Sequence, residues 1–140
     1  MTRLRSLAIV AAAAAAALLG SCKGSVEPPL VVTDTFAGSY VLRTIDGFPP
    51  PQIVEENGDS VFSILSGVVL LREDSTFVDS TDVQFIIDGV VTDTVDVARG
   101  FIRTTGGSLT FYAGSNAYTM VRDDNTLTQN FSGTVLVYRK

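Results

Sequence analysis

At 140 residues and a formal net charge of −5, the chain has the size of one domain, and the length excludes two. Fifteen acidic residues against ten basic ones argue against nucleic-acid binding, which needs a basic face to meet phosphates. With no histidine, no tryptophan and one cysteine, the chain cannot build His-based triads, His-ligated metal sites, CxxC redox pairs or an intramolecular disulfide.

Residues 1–21 read as an export signal. Arg3 and Arg5 make a positive start, Leu7 to Leu19 is an unbroken apolar run, and Gly20 and Ser21 are small residues of the kind a signal peptidase accepts. At 1.5 Å per residue that run reaches roughly 20 Å against about 30 Å of hydrocarbon, too short for a permanent span. Leu19, Gly20 and Ser21, directly before Cys22, resemble the bacterial lipobox. The resemblance implies a diacylglycerol on the Cys22 sulfur and an amide-linked acyl chain on its nitrogen, enough to hold the protein on a membrane. The alternative is an ordinary signal peptide cut near Ala17, which leaves a lone thiol in an oxidising compartment. Lys23, where a retained lipoprotein would carry Asp, implies the outer membrane of a bacterial cell envelope by the sorting rule of enteric lipoproteins. No other cofactor is expected.

Residues 22–35 carry the lipidated cysteine and a polar, proline-bearing tether. Beyond them Val, Ile, Thr, Phe and Tyr alternate with Gly, Asp and Asn, without a helical period. Strands are predicted at Gly38–Ile45, Ser60–Arg72, Thr76–Ile87, Val90–Thr104, Ser108–Tyr112, Ala117–Arg122, Thr126–Phe131 and Thr134–Arg139. Short turns such as Asp88-Gly89, Gly106-Gly107 and Ser132-Gly133 join most of them. Eight strands in a meander leave two exposed edges unless the first and last pair, so residues 36–140 are expected to form an all-β, eight-stranded antiparallel up-and-down barrel. Gly38-Ser39-Tyr40-Val41-Leu42, the Asp46-Gly47 turn, Ser108-Leu109-Thr110-Phe111 and Val137-Tyr138-Arg139-Lys140 resemble bacterial lipocalin-like lipoprotein domains, with Gly-x-Tyr in place of Gly-x-Trp. The META-type heat-shock lipoproteins are a second family of similar character. The lipocalin resemblance implies a cation over Tyr40, from Arg139 or Arg122, and a lid from the loop after the first strand.

A two-residue turn at Ser132-Gly133 pairs Phe131 with Thr134 and fixes the facing of the last hairpin. Leu127, Gln129, Phe131, Leu136 and Tyr138 then share the inward face, and by the same alternation Tyr40, Leu42, Leu109 and Phe111 point inside. Gln129 is either a core amide bonded to a neighbour or a group that orients a ligand. The Asp88-Gly89 hairpin sets Asp82 diagonal to Asp93 on one face and Asp79 diagonal to Asp96 on the other. Acids on both faces imply that the hairpin extends past the barrel rim, or that a bulge breaks the register. Its apolar tip, with Phe85, Ile86 and Ile87, is expected to pack on the loop around Phe48, and loop 46–59 is expected to close the mouth as a lid. A spaced Asp pair supplies too few oxygens for Ca²⁺, and neither Glu55-Glu56 nor Asp123-Asp124 has the spacing of a general acid beside a general base. No metal and no catalysis are therefore expected. Two functions remain: a filled barrel serving as a structural or protein-interaction module of the envelope, or a carrier holding a small apolar ligand inside. A continuous interior void of a few hundred Å³ would favour the carrier.

Overall fold

The structure is a computed structural model that describes residues 35–140; the signal, Cys22 and most of the tether lie outside the described residues. Nine antiparallel strands follow in order: β1 Gly38–Ile45, β2 Gln52–Asn57, β3 Ser60–Leu71, β4 Thr76–Ile87, β5 Val90–Thr105, β6 Ser108–Ala113, β7 Asn116–Asp123, β8 Thr126–Phe131 and β9 Thr134–Arg139. Neighbours in sequence pair from β2 through β9, and β1 closes the circle by pairing with β9 on one side and with β3 on the other. The expected closed barrel of eight strands is present, with β2 added beside it.

The turns work as their residues dictate. Asp46-Gly47, Asp88-Gly89 and Ser132-Gly133 each hold both central residues at positive φ, the condition for a two-residue turn whose twist matches the strands it joins. The first of these is also tied across the closure: the Asp46 amide donates to the Val135 carbonyl at 2.8 Å, and the Val135 amide donates to Asp46 Oδ1 at 2.8 Å.

Strand β2 corrects the expected loop 46–59. Asn57 pairs with Ser60 across Gly58-Asp59, and Gly58 takes a φ of 59°, so a Gly-Asp hairpin signal lay behind the three prolines. Residues 52–57 run alongside the first half of β3 instead of across the mouth, and Phe48 is 64 % exposed. The lid is therefore absent from the described residues. The apolar tip of the β4–β5 hairpin is not packed on Phe48 either: Phe85 stacks on Phe62 of β3 with centroids 4.9 Å apart, Ile86 stands opposite Val61, and Ile87 is 55 % exposed.

The core is densest at one end of the barrel and continues through Leu42, Ile45, Ile64, Val83 and Leu136 toward the other. Tyr40, Leu71, Phe77, Ile102, Leu109, Phe111, Met120, Leu127 and Tyr138 are all buried at the packed end, where the β3–β4, β5–β6 and β7–β8 turns gather. Phe77 meets Phe111 edge-on at 4.9 Å, and Phe111 stacks on Tyr118 at 5.0 Å, so a column of rings rises from the packed end toward the open one. Tyr40 donates its hydroxyl to the Phe36 carbonyl at 2.8 Å. Lys140, the residue after Arg139, places a cation over its ring, with Nζ 5.9 Å from the centroid, where Arg139 or Arg122 was expected.

Tyr40 has no exposed surface, so Tyr40→Ala leaves a cavity and an unsatisfied carbonyl, and a stability loss of about 3 kcal/mol or more is expected in urea unfolding. A loss under about 1 kcal/mol, the scale of a surface substitution, would contradict the buried position.

Candidate functional site

Above the packed end a cavity opens between the tall strands and the β6–β7 turn. The three strands β3, β4 and β5 are 12, 12 and 16 residues long, whereas β6, β8 and β9 have six each, so the long strands continue past the rim as one tall wall. Strand β5 pairs with β6 only from Phe101 to Thr105. At Gly100 an added Cβ would lie 1.8 Å from the Tyr112 carbonyl oxygen, so only glycine lets the two strands come this close at the last point before their ladder ends. Beyond that point the wall is open between β5 and the β6–β7 turn.

The resulting cavity measures about 840 Å³. Phe62, Ile64 and Val83 of the tall wall form its apolar side, Ala113 to Tyr118 form the opposite side, and Gln129, Phe131, Leu136 and Tyr138 complete it. The expected filled interior is present at the packed end, and toward the other end buried Ile45, Ile64, Val83 and Leu136 share the space with this cavity. Tyr40, Leu42, Leu109, Phe111, Leu127, Leu136 and Tyr138 are buried, and the pairings Leu127 to Tyr138, Gln129 to Leu136 and Phe131 to Thr134 are those the turn predicts. Phe131 differs: it is 42 % exposed, because β8 ends at the rim where no packed layer remains to cover it. Gln129 is half-buried on the cavity wall. Phe48, Phe85, Ile86 and Ile87 do not line the cavity.

Of the polar wall, Gln129 and Tyr138 were expected inside, whereas Asp79 and Tyr118 were not singled out in the sequence as a site. Asp79 lies on the inner face of β4, paired with Val69 and Ala98. The Tyr118 hydroxyl donates to its Oδ2 at 2.8 Å, and the Thr81 hydroxyl lies 3.5 Å from its Oδ1. Burial pushes the Asp79 carboxyl above the ordinary carboxylate range, the Tyr118 bond pulls against that, and the nearby Asp96 carboxylate adds to the rise. Tyr118 and Tyr138 are both held protonated, first by burial and then by the charge of Asp79, so at neutral pH both phenols keep their hydrogen. Asp96 and Arg99 of β5 also border the hollow. The face signal was present in the sequence: Asp79 shares the alternation of Phe77 and Val83, and Tyr118 that of Met120. Among the described residues no group of three or more His, Cys, Asp or Glu side chains forms a metal-binding cluster.

The raised Asp79 carboxyl makes a signed prediction. Because the folded state holds that proton more tightly than the unfolded chain, ionising Asp79 costs stability; the cost is absent below the ordinary carboxylate range and complete above the raised folded value. Asp79→Asn should therefore be more stable than the native chain at about pH 7 and lose that advantage at about pH 3. Paired urea titrations at the two pH values check this, and an advantage that does not change with pH would remove the assignment. In comparisons with known proteins, no family model, no curated protein and no solved structure matches this chain.

Proposed function

We propose that this chain is an exported, lipid-anchored protein of the bacterial envelope that binds a small, mostly apolar molecule in the mouth of its barrel. The observation that carries the binding reading is the open cavity of about 840 Å³, within the span of roughly 300 to 1,000 Å³ typical of small-molecule sites. Walls of Phe62, Ile64, Val83 and Leu136 around a hollow of that size leave apolar surface that a purely structural barrel would fill with its own side chains. The acceptors on the wall give the ligand a polar end. Asp79, Asp96, Gln129 and the Tyr138 oxygen favour a hydrogen-bond donor or a cation such as an alkylammonium, with Arg99 the one basic residue on the lining among the described residues. Nothing in this reading requires catalysis.

The anchor rests on the sequence. Cys22 is the single cysteine and stands directly after Leu19-Gly20-Ser21 at the end of the apolar run, the position at which a lipobox cysteine is acylated. Lys23 supports the outer membrane as destination. A tether on a lipid keeps the barrel at the membrane surface, where small amphiphilic molecules concentrate.

Two experiments test the halves separately. Cys22→Ser should move the protein from the detergent phase to the aqueous phase or leave the precursor uncleaved, and unchanged partitioning would remove the anchor. Decylamine should displace an apolar fluorescent probe at lower concentration than decanoate, and Ala113→Trp, which fills the rim of the cavity, should weaken probe binding about tenfold or more with the urea midpoint unchanged. Equal probe binding by the native chain and the Ala113→Trp variant would remove the cavity as the site; a preference for decanoate would overturn the polar-end assignment.

A further inference from the structure

Beyond Gly100, β5 has a neighbour on one side only. Its partner β4 runs the whole way from Phe101 to Val90, while the pairing with β6 stops at Phe101, so Val91 to Arg99 is a bare strand edge among the described residues. The two hairpin turns fix which groups are bare. In a two-residue hairpin the closing residues exchange both hydrogen bonds, and the bonded pairs then recur at every second residue. The closing pairs are Ile87 with Val90 and Thr105 with Ser108. Even-numbered residues of β5 therefore bond to β4, and the odd-numbered amides and carbonyls of Val91, Asp93, Val95, Val97 and Arg99 point to the open side.

The molecule's other edge is defended. Strand β2 is six residues long, carries Glu55 and Glu56, and is bulged between Ile53 and Glu55, all devices that discourage pairing. The β5 edge has no bulge and exposes Val90, Val91, Val95 and Val97, the first of them to 66 %. A straight, valine-rich edge of this kind is a template for another strand.

We propose that this edge pairs antiparallel with the same edge of a second copy of the chain, about a two-fold axis through Val95. The choice of a second copy follows from register and charge. Only odd residues face the partner, so an odd residue must stand opposite an odd one. Centring the axis on Val95 uses the whole bare segment, with Val91 opposite Arg99, Asp93 opposite Val97 and Val95 opposite itself. That register sets Asp93 diagonal to Arg99 of the second copy, twice by symmetry, a favourable approach of opposite charges. Centring on Asp93 or Asp96 would place like carboxylates directly opposite. The Val95 register keeps only the more distant diagonal between Asp96 and its own copy. The side chains of Val91, Val95 and Val97 from both copies would meet on the outer face of one continuous sheet of eight strands, β2 to β5 from each copy, burying apolar surface that is otherwise wet.

The test uses the full chain in a density-matched detergent, followed by sedimentation equilibrium over a range of concentrations. A reversible dimer is expected. Because the Val95 amide bonds to no residue of β4, Val95→Pro should preserve the barrel, seen as an unchanged circular dichroism spectrum and urea midpoint, and weaken dimerisation about tenfold or more. Asp93→Arg and Arg99→Asp should each weaken it and their combination should restore it, a pattern that survives even if the proline variant does not fold. A monomer at every concentration overturns the proposal. So does a dimer indifferent to Val95→Pro in a folded protein, as would arise from anchors sharing a micelle, or a double charge exchange that restores nothing, as would arise if the edge takes a strand from a different protein.

Discussion

Everything peculiar to this barrel follows from strands of unequal length forced to share one closure. Strand β1 is eight residues long and must reach both β9 and β3; it bonds to β3 only from Val68 to Leu71. Closure therefore happens over the lower part of the barrel, and the upper halves of β3, β4 and β5 have no place in the circle. They cannot be left as irregular chain, because buried or half-buried amides need partners, so they pair with one another and with β2. The tall wall, the hollow below it and the bare edge of β5 are three consequences of that mismatch.

The same mismatch accounts for the acid inside. A carboxylate in the packed end would lose its hydration with nothing in return, and no acidic residue occurs among the buried side chains there. Asp79 sits one layer higher, at the junction of core and hollow, where Tyr118 can donate to it and solvent still reaches it. The ring column of Phe77, Phe111 and Tyr118 ends there in a hydroxyl, so the aromatic stack changes from packing to hydrogen bonding along its own length. That gradient, apolar below and acceptor-rich above, is what gives the cavity a direction for an amphiphilic ligand.

The sequence states the barrel clearly and the cavity hardly at all. Turns such as Asp88-Gly89 and Ser132-Gly133 need positive φ at both centres, so they mark strand ends and set register, and register sets facing: Leu127, Leu136 and Tyr138 could be placed inside from the last turn alone. The hidden features depend on where the wall stops. Phe131 has the inward alternation yet lies at the rim, and Gln52–Asn57 reads as loop because Pro49-Pro50-Pro51 precedes it. Asp79 and Asp96 suggested a hairpin wet on both faces; in three dimensions one of those faces turns toward the hollow, which no local pattern distinguishes from open solvent. A filled and a half-empty barrel share one alternation, because alternation records which face a residue takes and not what lies across from it.

One segment, Asp96 to Arg99, serves both features at once, as part of the cavity border and part of the free edge. Strand geometry separates them except at Val97 and Arg99, which both features share. Even-numbered residues turn their side chains inward, where Asp96 and Ala98 meet the hollow, and spend their backbone groups on β4. Odd-numbered residues hold their backbone groups toward the open side and carry the valines of the outer face. Substitution at Asp96 or Ala98 should therefore alter what enters the barrel, a change at Val91, Asp93 or Val95 alters what docks beside it, and a change at Val97 or Arg99, which border the cavity and also lie on the free edge, touches both. A strand docked on the odd-numbered groups would in turn stand next to the gap between β5 and the β6–β7 turn, so occupancy of the edge would narrow the side opening of the cavity where Val97 and Arg99 border it.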